Sequence, residues 1–286
     1  MDTPFILHQQ QHRVVTLTLH RLEARNALST PCLEQLVARL EQADADSGVG
    51  AVVIAGAARF FAAGADLREL QQQDLPAALA DRRPQLWQRL AQFSKPLLAA
   101  VNGYALGAGC ELALACDIVI GGESARFGLP EITLGLMPGA GGTQRLIRCV
   151  GKSRASQMVL TGEPIDARTA LQAGLISEVC VDALTLERTQ QIADRISRQA
   201  PLALRAAKQA LKQAEEIGLS QGLAMERQQF VTLAATDDRR EGIAAFSKTY
   251  AKLSGALIYG QRIDSQPSRR RRVDADPQPA GPAQQL

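Results

Sequence analysis

Histidine is scarce in this chain, and its placement excludes more than its number does. The 286 residues include three histidines, His8, His12 and His20, all within the first 20 positions. No imidazole remains downstream to act as a base or a ligand, which argues against a serine–histidine hydrolase and a histidine-bound zinc site. The G-x-S-x-G sequence of hydrolases is missing as well. VGKS (150–153) is not the end of a phosphate-binding loop, because the position that requires glycine is Leu146.

Long apolar runs and a strong charge imbalance are missing too. No apolar run approaches the ~18 residues that span a membrane, and the N-terminus, MDTPFILHQQQH, lacks the basic and apolar segments of an export signal. The net charge of +3 leaves the body of the chain without an electrostatic footprint for nucleic acid. The five cysteines form no C-x-x-C pair and fit reduced thiols. We therefore expect a soluble, cytoplasmic protein without a metal site.

The apolar pattern predicts an α/β core. Residues 14–19 alternate as a strand does, and AVVIAG (51–56) and KPLLAAVNG (95–103) are continuously apolar, like buried strands. A small-residue turn and a helical pattern follow each of the two buried strands, which is the order typical of α/β proteins. A third strand is predicted at 117–122.

Helical spacing accounts for most of the rest. Ser29 or Thr30 can cap a helix that runs to about Leu40, and another helix is predicted from Pro76 to Phe93. Beyond about residue 182 the chain has amphipathic helical patterns, whose apolar faces must be buried somewhere; they cover 184–198, 201–215 and 219–234. The last segment, 257–286, has four prolines and an arginine block, and it is predicted to be disordered.

Two glutamates in mainly apolar surroundings are the candidates for acid–base chemistry. Glu111 follows a glycine-rich turn in YALGAGCELALACD (104–117), and Glu131 precedes another in FGLPEITLGLMPGAGG (127–142). Burial raises the pKa of a carboxyl group towards the range useful for proton transfer, and two such groups can divide the acid and base roles. The alternative is that each acid only stabilises a helix start. Their separation along the chain leaves their proximity open.

Two small-residue turns, AAGAD (62–66) and GAGCE (107–111), each precede a predicted helix. Their backbone N–H groups can approach a ligand closely, and a helix N-terminus favours negative charge. Two N–H groups that converge on one oxygen form an oxyanion hole. The alternative is that the small residues only permit tight packing of strand on helix. Together with the two carboxyl groups, the turns suit a reaction through an enolate.

Three long blocks resemble the enoyl-CoA hydratase/isomerase, or crotonase, family. They are RFFAAGADL (59–67), AAVNGYALGAGCELALACDIVI (99–120) and ARFGLPEITLGLMPGAGGTQRLIRCVGKS (125–153). The resemblance implies an α/β fold, with a spiral core of ββα repeats and a C-terminal helical oligomerisation region. It also implies that no cofactor is needed, because coenzyme A is part of the substrate.

The resemblance assigns roles residue by residue. Ala65 and Ala108 match the oxyanion donors, and Glu111 and Glu131 match the two acids. In the implied mechanism Glu111 polarises a water for attack at the β-carbon, while protonated Glu131 supplies the α-proton. Gly139 matches the position that helps to hold this water. The residues expected near coenzyme A are Arg25, Ala63, Asp66, Leu67 and Arg68.

Within the family, the pair of acids favours water addition, and an isomerase is the alternative. Further blocks, DRRPQLWQRL (81–90), APLALRAAKQAL (200–211) and LAATDDRREGIAAF (233–246), narrow the resemblance to hydratases of bacterial phenylacetate degradation. The expected substrate is then 2,3-dehydroadipyl-CoA; a short-chain enoyl-CoA of fatty-acid oxidation is the alternative. The carboxylate at the end of the dehydroadipyl chain needs a polar partner. Arg82, Arg83 and Arg89 are candidates, although a solvated helix face is the favoured explanation for them.

The resemblance also implies an assembly. We expect a spiral core at 1–200, a trimerisation region at 201–256 and a tail at 257–286, in a homotrimer or in a hexamer of paired trimers. A sister isomerase of the same family is a further implied partner. Hypotheses of another class are RNA binding through Arg269–Arg272 and a structural subunit without activity. A solvated tail is the commoner role of such a charge run, and the complete glutamate pair argues against an inactive subunit.

Overall fold

The computed structural model describes residues 4–57 and 59–248. Its strands are β1 (Ile6–Gln11), β2 (Val14–Leu19), β3 (Ala51–Gly56), β4 (Phe60–Ala62), β5 (Leu97–Val101), β6 (Tyr104–Leu106), β7 (Ile118–Gly122), β8 (Arg126–Gly128), β9 (Ile165–Asp166) and β10 (Glu178–Cys180). Its helices are α1 (Thr30–Ala45), α2 (Leu67–Gln71), α3 (Leu75–Leu79), α4 (Arg83–Ala91), α5 (Ala108–Ala115), α6 (Gly142–Thr161), α7 (Ala167–Gln172), α8 (Thr185–Ser197), α9 (Pro201–Ala214) and α10 (Leu219–Leu233). Short 3₁₀ segments lie at Leu22–Ala24, Pro130–Leu134 and Asp182–Leu184.

Most predicted elements are present with closely similar bounds, and one is divided. The strand predicted at 14–19 is β2, and Ser29 caps α1 by accepting a hydrogen bond from the Cys32 N–H at 3.4 Å. The prediction of a single helix from Pro76 to Phe93 was wrong, because this segment forms two separate helices, α3 and α4. Between them the side chain of Asp81 accepts a hydrogen bond from the N–H of Arg83 at 2.9 Å. This bond satisfies the N–H of the first residue of α4, whose N-cap is Arg82.

Two sheets form the body of the fold. The larger sheet has the strand order β1-β2-β3-β5-β7-β10, and all its neighbours are parallel except the β1–β2 hairpin. The smaller sheet has the order β4-β6-β8-β9, with β4, β6 and β8 parallel. The chain repeats one order three times: a strand of the larger sheet, a strand of the smaller sheet and then a helix. The three repeats are β3-β4-α2, β5-β6-α5 and β7-β8-α6. The chain is therefore a series of ββα units.

The central strands β3 and β5 of the larger sheet are buried on both faces, which explains why they are continuously apolar. In β3, Val52 and Ile54 belong to the main core together with α1. Val53, on the opposite face, packs in a second cluster that includes Ala193 of α8. Both faces of β3 therefore exclude water, and its side chains do not alternate between apolar and polar.

The described residues divide into two compact units, one up to residue 234 and one from residue 235 to residue 248. The first unit includes α9 and α10. In the second, residues 237–248 are helical. The domain bounds inferred from the sequence stay predictions, and the tail at 257–286 lies outside the described residues. Within the part of the chain that the structure describes, no helix is both long and apolar enough to cross a membrane.

Helix α5 packs unusually close to the smaller sheet, at Gly109. A Cβ atom added to Gly109 would lie 2.2 Å from the carbonyl oxygen of Ala62 in β4. Real Cβ atoms do not approach an oxygen so closely. Glycine at this position therefore sets the distance between the helix and the strand.

We expect Gly109→Ala to lower the free energy of unfolding by about 1–3 kcal/mol, the usual cost of overpacking a core. Denaturant unfolding measures it. Gly218→Ala is the matched control, because an added Cβ there meets none of the described residues within 4 Å and the Gly218 backbone is extended, with φ −67°. Equal unfolding free energies for the two variants would contradict the close approach of α5.

Candidate active site

Three neighbouring strand ends of the smaller sheet bring the predicted site residues together. The strands β4, β6 and β8 run parallel, with Tyr104 of β6 paired to Phe60 of β4 and to Arg126 of β8. Their carboxyl ends therefore lie at the same edge of the sheet, where ligands commonly bind in α/β folds. The segment after β4 contains Ala65, α5 after β6 contains Ala108 and Glu111, and the 3₁₀ segment after β8 contains Glu131. This pairing brings together two glutamates that are 20 positions apart.

The turn that contains Ala65 is fixed by backbone hydrogen bonds. The Leu28 N–H donates to the carbonyl oxygen of Gly64 at 2.8 Å, and the Ala63 N–H donates to that of Arg25 at 3.1 Å. Asp66 closes the turn: its Oδ1 accepts a hydrogen bond from the Arg68 N–H at 2.9 Å, and its Oδ2 forms an ion pair with Arg21 at 2.6 Å. The Ala65 N–H donates to none of the described residues.

The second turn depends on Gly107, which has φ 51° and ψ −125°. Residues other than glycine rarely adopt such a backbone conformation. A Cβ atom added to Gly107 would also lie 3.1 Å from Oε1 of Glu131. The Gly107 N–H donates to the carbonyl oxygen of Gly128, at the end of β8, at 2.9 Å. Ala108 follows as the first residue of α5, and its N–H donates to none of the described residues.

Glu111 is buried and held by backbone donors. Its side chain is in the first turn of α5, and the residue is 2% exposed. Its Oε1 accepts hydrogen bonds from the N–H groups of Ala140 at 2.7 Å and Gly142 at 2.8 Å, at the start of α6. Burial raises the pKa of Glu111, and these two donors, which favour the charged form, oppose the rise. The geometry suits an ionised carboxylate that can accept a proton.

Glu131 lies in a less satisfied environment. Its buried Oε2 has no hydrogen-bond partner among the described residues. Burial raises the pKa of Glu131 to about 7, and the charge of Glu111 adds to the rise. A substantial fraction of Glu131 is therefore protonated near neutral pH. The two carboxyl groups therefore have different environments, and such a difference can separate the acid role from the base role.

Both acids line one cavity of about 390 Å³. Ala65 and Ala108, whose N–H groups are unused, line it as well. Most of its remaining wall is apolar and includes Leu28, Leu33, Leu70, Trp87, Leu134 and Met137. Such a cavity can stabilise an oxyanion with two N–H groups while the carboxyl groups move protons in a poorly hydrated space. No group of three or more His, Cys, Asp or Glu side chains in the described ranges could hold a metal ion.

The structure separates the other predicted site residues into two sets. Ala63, Leu67 and Gly139 line the cavity. Arg25, Asp66 and Arg68 lie outside its lining. Arg25 is exposed with its guanidinium 5.6 Å from the centre of the Phe60 ring, and Arg68 is exposed too. The side chain of Asp66 is occupied by the cap and the ion pair described above.

Three contributors to the site were not predicted from the sequence. Ala140 and Gly142 hold Glu111 through their backbone N–H groups. The glycine-rich turn PGAGG (138–142) was visible, but nothing in the sequence linked it to a glutamate about 30 residues earlier. Asp81 also lines the cavity and was not predicted from the sequence. Arg83 lines it as well. Arg83 was a candidate only as one of three helix-face arginines.

We expect Glu131→Gln to raise the melting temperature more at pH 8 than at pH 5. The raised pKa means that, between about 4.5 and about 7, the folded protein binds more protons at Glu131 than the unfolded protein does. The stability that this group contributes therefore falls as the pH rises through that window. Glutamine stays neutral and avoids the loss. Thermal unfolding at both pH values measures the difference.

Glu163→Gln serves as the control for this measurement. Glu163 is exposed and lies outside the cavity lining, so its substitution is expected to change the melting temperature equally at both pH values. A gain at Glu131 that did not depend on pH would contradict the raised pKa.

The ββα units and a cavity at the carboxyl ends of three parallel strands define a protein with the crotonase fold. Comparison with known proteins agrees: the family model for enoyl-CoA hydratase/isomerase matches residues 9–252. The chain belongs to this family. The crystal structure of an enoyl-CoA hydratase from Bacillus anthracis has a TM-score of 0.82 and 37% sequence identity, covering 86% of this chain and 96% of that one.

Particular relatives are more similar still. The chain is 63% identical over 241 residues to 2,3-dehydroadipyl-CoA hydratase of Escherichia coli (strain K12), covering 84% of this chain and 94% of the relative. It is 43% identical over 237 residues to a mitochondrial enoyl-CoA hydratase of Pongo abelii, covering 83% and 82%. The family and relatives therefore match the resemblance found in the sequence.

Proposed function

We propose that this protein is an enoyl-CoA hydratase that adds water reversibly across the 2,3-double bond of an enoyl-CoA thioester. Its substrate is 2,3-dehydroadipyl-CoA and its product is 3-hydroxyadipyl-CoA. The observation that carries this proposal is the pair of carboxyl groups with unlike environments in one cavity, beside two unused backbone N–H groups. The similarity to the E. coli enzyme supports the choice of acyl chain. Apart from coenzyme A in the substrate, the reaction needs no cofactor.

In the proposed mechanism the thioester oxygen accepts hydrogen bonds from the N–H groups of Ala65 and Ala108. Ionised Glu111 takes a proton from a water molecule, and the water oxygen bonds to C3 as the 2,3-double bond opens. The negative charge that develops on the thioester oxygen is stabilised by the two N–H donors. Protonated Glu131 then delivers its proton to C2. In dehydration the two acids exchange their roles.

Other residues are proposed to bind the substrate and the water. Gly139, which lines the cavity, helps to position the attacking water. Ala63 and Leu67 line the cavity beside the Ala65 turn, which supports contacts with coenzyme A. We assign Asp66, Arg68 and Arg25 to its outer part, where the exposed arginines suit a phosphate-bearing group.

Glu131→Gln is expected to lower the hydration rate by about 10²–10⁴-fold, the usual contribution of general acid–base catalysis. Glutamine keeps the shape of the side chain but has no carboxyl proton to deliver to C2. The assay follows formation of 3-hydroxyacyl-CoA from enoyl-CoA. Binding of the unreactive saturated thioester hexanoyl-CoA, measured by calorimetry, is expected to change little.

The control is again Glu163→Gln, which is expected to retain the wild-type rate. A fully active Glu131→Gln enzyme would contradict the mechanism. The same assay tests the isomerase alternative, because an isomerase shifts the double bond and forms no 3-hydroxyacyl product. The two carboxyl groups in the cavity favour the hydratase.

We also propose a homotrimer, or a hexamer of paired trimers. Apolar side chains on α9 and α10 are exposed in the single chain; they include Leu202 (52%), Leu211 (73%), Leu219 (78%), Leu223 (56%) and Phe230 (62%). Exposed apolar surface of this extent is typical of a protein interface. Contact between copies of the chain through these helices would cover it.

Light scattering is expected to give a mass three or six times the 30.7 kDa of the chain. Leu223→Glu should lower this mass, because it places a charge in the apolar interface. Leu79→Glu is the matched control: Leu79, in α3, is 81% exposed, and its substitution should leave the mass unchanged. A monomeric wild-type protein would contradict the proposal.

Three further expectations stay predictions. They are a role in phenylacetate degradation, a sister isomerase as partner and a cytoplasmic location. RNA binding through Arg269–Arg272 concerns residues outside the described ranges and also stays a prediction, as the disfavoured alternative.

A further inference from the structure

The cavity wall contains one cationic side chain among the described residues, Arg83. It is the first residue of α4, and its side chain is 14% exposed. The indole of Trp87, one helical turn further on, lines the same cavity. A guanidinium withdrawn from water in a largely apolar wall loses solvation, and this loss must be compensated by charge or hydrogen bonds.

Asp81 and Gln73 compensate one edge of this guanidinium. Oδ2 of Asp81 accepts a hydrogen bond from Nε of Arg83 at 2.8 Å and lies 2.7 Å from its Nη2. Nη2 also donates to Oε1 of Gln73 at 3.0 Å. Nη1 donates to none of the described residues. The guanidinium is therefore fixed along one edge, while the two N–H donors of Nη1 remain for a ligand.

The other two arginines of this segment differ from Arg83. Arg82 is 71% exposed in its side chain and pairs with Glu34 at 3.1 Å. Arg89 is 47% exposed and pairs with Glu41 at 2.7 Å. Neither lines the cavity, and exposed pairs of this kind contribute little. The expectation that these arginines lie on a solvated helix face is therefore met by Arg82 and Arg89, but Arg83 is mostly buried.

We infer that Arg83 is a specificity residue that binds the terminal carboxylate of a dicarboxylic enoyl-CoA through Nη1. The inference rests on the proposed hydratase function and concerns the far end of the acyl chain. Asp81 is a positioning residue: it orients the guanidinium and neutralises its charge before the substrate binds. An acyl chain that ends in a methyl group leaves Nη1 without an acceptor, whereas a carboxylate supplies a charge-assisted hydrogen bond.

The cavity wall is mostly apolar and includes Arg83. Such a wall distinguishes acyl chains by the charge at their end more strongly than by their size. A hydrophobic pocket separates substrates that differ by one small group only weakly, whereas a polar group built to pair with the substrate rejects the analogue that leaves it unpaired. The carboxylate lies beyond the reacting double bond, so its contact with Arg83 is the same before and during the reaction. Uniform binding of this kind changes KM more than kcat.

The test compares two substrates with the same six-carbon chain, 2,3-dehydroadipyl-CoA and trans-2-hexenoyl-CoA, which differ in a terminal carboxylate or methyl group. The wild-type enzyme is expected to prefer the dicarboxylic substrate. Arg83→Met should lower kcat/KM for dehydroadipyl-CoA by about 10- to 100-fold, the effect of losing one hydrogen bond between charged groups. Most of the loss should be in KM. Hydration of hexenoyl-CoA should keep its wild-type kcat.

Two further variants serve as controls. Arg82→Met, at the neighbouring exposed arginine, should leave the preference unchanged. Asp81→Asn/Arg83→Met removes both charges, so that no carboxylate is left unpaired; it should lose the preference in the same way even if the single variant folds poorly.

The outcomes separate this inference from the proposed function. A wild-type enzyme that hydrates both thioesters, with a preference that neither Arg83 variant changes, would overturn the role of Arg83 and leave the hydratase intact. An equal loss on both substrates in the double variant would do the same, because it indicates a purely structural role. A wild-type protein that hydrates neither thioester would overturn the hydratase function and, with it, the inference.

Discussion

The carboxylate of Glu111, bound by the N–H groups of Ala140 and Gly142, is the interaction on which the site depends. It joins the start of α5 to the start of α6, and it places a negative charge where two helix N-termini favour it. A hydrogen bond to a charged group is worth roughly 1.5–3 kcal/mol, and a buried carboxylate without its donors would be costly. The same contact opposes the rise in the pKa of Glu111 that burial causes, because the two N–H donors favour the charged form.

This arrangement also explains why the two acids behave differently. They line the same cavity, but only Glu111 accepts hydrogen bonds from the N–H groups of Ala140 and Gly142. Glu131 has a buried oxygen with no partner in the described part of the chain, and its pKa of about 7 follows from that environment. A negative charge on Glu111 raises the pKa of Glu131 further, since two negative charges in one apolar cavity repel each other. The difference between their environments therefore depends on the turn at 140–142.

Much of the fold was predictable because local patterns determine it. The continuously apolar β3 and the Ser29 cap were both visible in the sequence. The candidate acids and turns were visible as well, since charged residues among apolar ones are rare. Their proximity was not, because it depends on β4, β6 and β8 being neighbours, and three-residue strands carry no distinct pattern. The difference between Arg83 and Arg82 was equally hidden. The two arginines are adjacent in sequence, and only the structure shows that Arg83 pairs with Asp81 at the cavity while Arg82 pairs with Glu34.

The burial of β3 on both faces has a consequence for how the sheet finds its alignment. In most sheets an alternation of apolar and polar side chains selects the register, but β3 offers no such contrast. What differs between its faces is bulk: Ala51, Val53 and Ala55 lie in the cluster with α8, while Val52 and Ile54 lie in the main core. A slip by one residue would force the larger side chains against Ala193. The size of the side chains therefore fixes the register of β3. This register in turn sets the position of β4 and of Ala65, which follows β4 and lines the cavity.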